Sequence, residues 1–218
     1  MTSMLNIFGV HEYMKQPSAW FHSRILVGAG AMLAPSFCIR NNVTHVINCA
    51  FDEDSPSWFR ERNPGKYAVM NAYDTPHHNI LDWYGRFEET MHSFLREGTG
   101  TVFVHCQAGI NRSGFLALTY VAKNFHIQLD DLIVSVKKQR PCMLSNHIYM
   151  KQVREFINGH IQSQKGAGLN DGEHDGRDTR LCTSGSCSVV EAVKCETGST
   201  AERTERTEEQ SVGPVCEE

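Results

Sequence analysis

One ten-residue stretch constrains this chain more than any other: His105-Cys106-Gln107-Ala108-Gly109-Ile110-Asn111-Arg112-Ser113-Gly114. It follows a short apolar β-type run, Thr101-Val102-Phe103-Val104, and precedes an apolar, helix-like run that begins at Phe115. The pattern predicts a strand that delivers a cysteine, a short loop, and a helix opened by an arginine and a serine. A strand feeding straight into a helix belongs to an α/β layer architecture.

Five residues separate Cys106 from Arg112, enough chain to wrap once around a tetrahedral oxyanion. The loop N–H groups can point inward as an anion-binding nest. The helix starting near Arg112 adds unpaired N–H groups and the positive end of its dipole. Arg112 can grip two oxygens with its planar fork, which a lysine cannot do. Gly109 lets the backbone turn where a side chain would obstruct the anion. His105, Gln107, Ala108, Gly109, Ile110, Asn111 and Arg112 are therefore the candidate substrate-binding residues. The same field acts on Cys106. A free thiol has a pKa of about 8.5, and sites of this kind lower it to roughly 3.5–7.5. A thiolate nucleophile at neutral pH is the expectation, and phosphate-ester chemistry the implied reaction class. Ser113 can donate its hydroxyl to the sulfur and steady it as a leaving group. His105 is expected to order the loop, because a thiolate already formed needs no base.

The run His-Cys-x5-Arg-Ser resembles the signature of the cysteine-dependent protein tyrosine phosphatase superfamily. With Ala108-Gly109 and Asn111-Arg112-Ser113-Gly114 it is similar to the small dual-specificity phosphatases, and the Asn-Arg-Ser-Gly ending is shared with poxvirus-type members. The resemblance runs from about Arg24 to Ile161. It implies a protein tyrosine phosphatase-like fold and hydrolysis of phosphotyrosine and phosphoserine/phosphothreonine in proteins through a cysteinyl-phosphate intermediate. Phosphorylated proteins are then the expected partners.

A departing alkoxide needs a proton, and a second group should supply it and later activate water. Asp74 is the candidate. It follows the apolar run Tyr67 to Tyr73 and precedes the loop dipeptide Thr75-Pro76, 32 residues before Cys106. The resemblance places an acidic loop at about this distance ahead of the cysteine. Asp82, inside a helical pattern, and Asp52 to Asp54, after an earlier strand, are the competing acids. His77 and His78 in the same loop read as surface histidines. With thiolate, guanidinium and acid all supplied by the chain, no cofactor or metal is expected.

The chain has 218 residues, 40% of them hydrophobic, which suits one sizeable core with extras. No apolar run approaches the roughly 18 residues that a membrane span requires. No basic-then-apolar leader opens the chain. Residues 165–218 hold no aromatic residue and only seven Leu, Val, Ile, Met or Phe. Such a segment cannot bury enough surface to offset chain entropy, so a disordered tail is expected. It carries 12 acidic and 6 basic residues, a net −6 against −4 for the whole chain. Solubilisation is its simplest role, and competition with anionic substrates the sharper one. The domain reading is thus an N-terminal extension over 1–23, a catalytic domain over 24–164 and the tail over 165–218. Within the extension, Leu5, Phe8 and Tyr13 could pack on the domain or on a second copy, making a homodimer.

Eight cysteines without a secretory leader or paired Cys-x2-Cys spacing suggest a reducing compartment, cytoplasmic or nuclear. Cys49 ends the strand-like run Thr44 to Asn48. It reads as a core cysteine, although resemblance to tensin-type lipid phosphatases would make it a disulfide partner of oxidised Cys106. Gly28-Ala29-Gly30 faintly suggests a dinucleotide loop. The third glycine of that pattern would fall at Leu33, and Pro35 interrupts the helix it needs.

Strands are expected at Arg24 to Val27, 44–49, 67–73 and 101–105, and short helices at Met32 to Asn41 and Trp58 to Arg62. Ile80, Tyr84, Phe87, Met91 and Phe94 repeat at helical steps. Further helices are marked by Leu129 to Val136 and by Ile148, Tyr149, Val153, Phe156 and Ile157, all read as core. A small, mostly parallel sheet flanked by helices on both faces follows. Two other functions fit the cradle. One is an RNA 5′-triphosphatase on the same fold, although such relatives usually carry histidine at the place of Ala108 and threonine at the place of Ser113. Nucleic acid is accordingly not the expected partner. The other is a phosphate-binding adaptor without turnover, which retention of both Cys106 and Arg112 opposes.

Overall fold

A computed structural model describes residues 16–75 and 78–167. His77, residues 1–15 with the proposed dimer contacts, and the tail beyond residue 167 lie outside the described residues. The elements in order are β1 (Ala19–His22), β2 (Ile25–Ala29), α1 (Pro35–Arg40), β3 (Val43–Asn48), α2 (Trp58–Arg62), β4 (Tyr67–Val69), α3 (Tyr84–Glu97), β5 (Thr101–Cys106), α4 (Arg112–Asn124), α5 (Leu129–Gln139) and α6 (His147–Ala167). They form a five-stranded sheet in the order β1-β2-β5-β3-β4. Only β1 runs antiparallel to its neighbour.

Strand alternation splits the core in two. Ile25, Val27, Val102, Val104 and Cys106 face the larger core, built with α3, α4, α5 and α6. Leu26, Val46 and Phe103 face a smaller one with Phe59 and Cys38, covered by α1 and α2. The α3 stripe Tyr84, Phe87, Met91 and Phe94 is buried as its spacing predicts. Helix α4 is buried on every side from Arg112 to Ala122. A helix apolar all round sits in the middle of a core rather than over it, and its first turn therefore reaches the centre of the fold.

Three boundaries differ from expectation. Ala19–His22, inside the segment read as an extension, pairs with β2 as the edge of the sheet. Pro35 opens α1 at its first turn, where its missing N–H has no intrahelical partner to lose. Strand β4 stops at Val69 instead of Tyr73. Asn71 takes a φ of +58°, which breaks the extended run, and the N–H groups of Asn71 and Ala72 then donate to Ala50 O and Cys49 O just past β3, both at 3.1 Å.

Candidate active site

Strand β5 ends at Cys106 and helix α4 begins at Arg112, so the loop between them closes over the C-terminal edge of the sheet. Four successive loop carbonyls are bound from outside. Gln107 O accepts from Gly30 N at 3.3 Å and Ile110 O from Leu144 N at 2.9 Å. Arg140 donates to Ala108 O through Nη2 at 2.9 Å and to Gly109 O through Nε at 3.0 Å. Across a trans peptide the carbonyl and the next N–H point in opposite directions. With carbonyls 107–110 held outward, the N–H groups of Ala108 to Asn111 are directed to the inner side, where an anion would sit.

Gly109 has φ +64°, and a Cβ there would come within 2.2 Å of the Gly28 carbonyl carbon. The loop thus presses backbone to backbone on the end of β2, and no other residue fits. Gly30 is needed for a similar reason: its Cβ would meet Asp54 O at 2.4 Å. The Gly28-Ala29-Gly30 run is the floor under the cradle.

Cys106 is 2% exposed, and the Ser113 hydroxyl donates to its sulfur at 3.3 Å. Arg112 Nη1 donates to Ala72 O at 3.1 Å, and its Nε lies 3.5 Å from the Asp74 carboxylate. Asp74 keeps 44% of its side chain open to solvent. The sequence candidates Cys106, Arg112, Ser113 and Asp74 are therefore brought together. Gln107 is exposed, and Ala108, Ile110 and Asn111 are half-buried along the rim. Asn111 Oδ1 accepts from Ser145 N and Asn146 N, both at 3.1 Å, which ties the rim to the chain entering α6. Asp82 sits in a 3-10 turn ahead of α3. Asp52 pairs with Arg60 at 2.9 Å.

His105 points away from the cradle. It precedes Cys106 on a strand, so its side chain enters the opposite face. There it stacks on Phe103 and shares a hydrogen bond with Ser55 Oγ at 3.2 Å through Nε2. Burial lowers its pKa from 6.5 to about 4, with the Cys106 backbone opposing the shift. The folded value lies below the unfolded one, so the unfolded chain takes the proton first on acidification. His105 is expected to contribute its full stabilisation above pH 6.5 and to lose it progressively toward pH 4, a change of about 3 kcal/mol at 1.36 kcal/mol per unit. Denaturant melts across this window check it: the slope should flatten in His105→Gln, and an unchanged slope would contradict the assignment.

Cys49 follows β3, and its N–H donates to His105 O at 2.7 Å. Both it and Cys106 are free thiols. Burial first, and Cys106 second, push the Cys49 thiol well above its ordinary range.

Residues 25–159 match the family model for the dual specificity phosphatase catalytic domain. The chain belongs to the dual specificity phosphatase family. Similar curated proteins include a probable dual specificity protein phosphatase of Dictyostelium discoideum, 31% identical over 116 residues, 52% of this chain and 27% of that one. Dual specificity protein phosphatase 22-B of Danio rerio is 29% identical over 123 residues, 56% of this chain and 64% of that one. The chain thus spans less than two thirds of either relative. Among solved structures, human DUSP28 superposes with a TM-score of 0.56 at 21% identity, covering 67% of this chain and 95% of that one. DUSP15 gives 0.55 at 22%, covering 72% and 98%. These two likenesses bear on the fold. Within this dual specificity phosphatase domain, two residues around the site escape sequence reading. Arg140, fully buried, looks in sequence like a basic residue closing a helix before Pro141. Tyr149 looks like one more member of an apolar stripe.

Proposed function

We propose that this chain is a dual-specificity protein phosphatase. Its substrates are phosphotyrosine and phosphoserine/phosphothreonine in proteins, and it acts through a cysteinyl-phosphate intermediate. The observation that carries the reading is the convergence on one loop of a thiol bonded by Ser113 and a guanidinium 3.5 Å from an accessible carboxylate. Cys106 Sγ attacks phosphorus in line and the phosphorus–oxygen ester bond breaks. Arg112 and the inward N–H groups stabilise the charge that develops on the equatorial oxygens. Asp74, protonated, gives its proton to the departing oxygen. In the second step water attacks phosphorus, Asp74 takes its proton, and the sulfur leaves with the Ser113 hydroxyl supporting its charge. The neutral side chains of Gln107, Ala108, Ile110 and Asn111 give no support to a polyanionic inositol lipid as substrate.

Among the described residues no helix is long and apolar enough to cross a membrane. The free thiols at Cys38, Cys49, Cys106 and Cys142 suit a reducing compartment, so we place the activity in the cytoplasm, with the nucleus open to it.

Asp74→Asn tests the acid. Turnover of a phosphothreonine peptide is expected to fall about 100-fold or more. Stopped-time phosphate release from the peptide measures the loss. Unchanged turnover moves the role to another group. The same assay run with phosphopeptides beside triphosphate-ended RNA separates the proteins from the RNA reading: hydrolysis of RNA alone overturns the proposal.

A further inference from the structure

The Asp74 loop is not held by Arg112 alone. Helix α6 begins at His147, and its cap is Asn146, whose Oδ1 accepts from Ile148 N at 2.9 Å and Tyr149 N at 3.2 Å. The Asn146 and Ser145 N–H groups donate in turn to the Asn111 side chain on the cradle rim. The first turn of α6 is therefore fixed to the cradle from its capping end. Tyr149 stands in that turn. Its ring is fully buried and meets Phe115 of α4 edge-on, with centroids 5.7 Å apart. Its hydroxyl reaches two carbonyls, Tyr73 O and Thr75 O, each at 3.2 Å. Those are the residues on either side of Asp74.

We propose that Tyr149 is a positioning residue for the acid loop: its single hydroxyl proton, shared between the carbonyls that flank Asp74, sets where that carboxyl stands relative to Arg112. The inference rests on the assignment of Asp74 as proton donor. A carboxyl that is 44% exposed has no packing of its own to fix it, so the backbone on both sides must do so. Two peptide groups pinned to one buried atom leave the intervening residue little freedom to rotate. Burial, and the Asp74 charge after it, push the phenol above its ordinary 10, so the hydroxyl stays a donor at working pH. The ring and the hydroxyl have separable duties. The ring packs against α4, as any aromatic at this position would. The hydroxyl makes the hydrogen bonds to the loop.

Tyr149→Phe keeps the ring and deletes the two bonds. Proton donation matters most when the leaving oxygen is a strong base, so the substrates are a phosphothreonine peptide and 4-nitrophenyl phosphate. The full chain carrying Tyr149→Phe is expected to lose about 3- to 10-fold in kcat on the peptide, the range of one ordinary hydrogen bond. It should lose less than about 2-fold on the nitrophenyl ester, with KM unchanged on both. In an Asp74→Asn background the same substitution should add nothing to the loss on the peptide. Equal losses on both substrates, an undiminished peptide rate, or a further loss beyond that of Asp74→Asn would overturn the inference. A thermal melt of Tyr149→Phe confirms that a folded protein is being compared. The two assignments fail separately. An Asp74→Asn enzyme with full activity removes the acid, whereas a slow Asp74→Asn beside an unaffected Tyr149→Phe removes only the positioning role.

Discussion

Cys106→Ser is expected to abolish phosphoester turnover, by on the order of 10^4-fold or more, while leaving the fold and phosphopeptide binding in place. Oxygen for sulfur changes little in size at a side chain that is 2% exposed. It changes the chemistry completely, because a serine hydroxyl attacks only with a general base beside it. The nearest histidine in sequence cannot serve. His105 lies on the opposite face of β5, with Nε2 engaged by Ser55. Phosphate release from a phosphopeptide measures the loss, and capture of the same peptide by the variant measures the retained binding. A Cys106→Ser enzyme that still turns over would exclude the cysteinyl-phosphate route. A wild-type chain that binds phosphopeptide without hydrolysing it would leave the adaptor reading standing.

Arg112→Lys should be nearly as damaging, with kcat falling about 10^2- to 10^3-fold, the cost of removing an oxyanion donor. The charge survives and the geometry does not. A lysine presents one ammonium where Arg112 offers a planar fork. It must give up either the Ala72 carbonyl at 3.1 Å or the Asp74 carboxylate at 3.5 Å, both of which Arg112 reaches at once. KM for phosphopeptide should rise as well, since the fork also holds the ground-state phosphate. Steady-state kinetics beside a thermal melt check this. Near-normal kcat in a folded variant would mean that the loop N–H groups carry the transition state by themselves.

The cradle is legible in sequence because all of its parts are local. Strand, cysteine, turn glycine, arginine and helix follow one another within a few residues, and each imposes its own geometry. Asp74 is legible for the same reason, through the loop chemistry around it. What sequence does not show is what supports these parts from a distance. Arg140 and Tyr149 act through backbone carbonyls more than thirty residues away, and carbonyls leave no trace in a side-chain pattern. Strand β1 was hidden by its brevity: a four-residue edge strand with Trp20 exposed has too few alternations to stand out. The position of His105 did have a signal. Adjacent strand residues face opposite sides, so a histidine directly before a cradle cysteine belongs to the other core. Gly30 and Gly109 show residue type without purpose, since the backbone a Cβ would meet there, Asp54 O and the Gly28 carbonyl, comes from segments distant in sequence.

The outward anchoring of the loop carbonyls has a consequence for how tightly the site can hold a small oxyanion. Fixing a residue in one backbone conformation costs roughly 1–2 kcal/mol. In a floppy loop that cost falls on each binding event and is subtracted from affinity. Here the guanidinium of Arg140, the Gly30 amide and the Leu144 amide meet it when the chain folds. In the proposed reaction inorganic phosphate is the product; it meets a receptor already shaped for it, and its escape is expected to be a step that the rate of the whole cycle must accommodate.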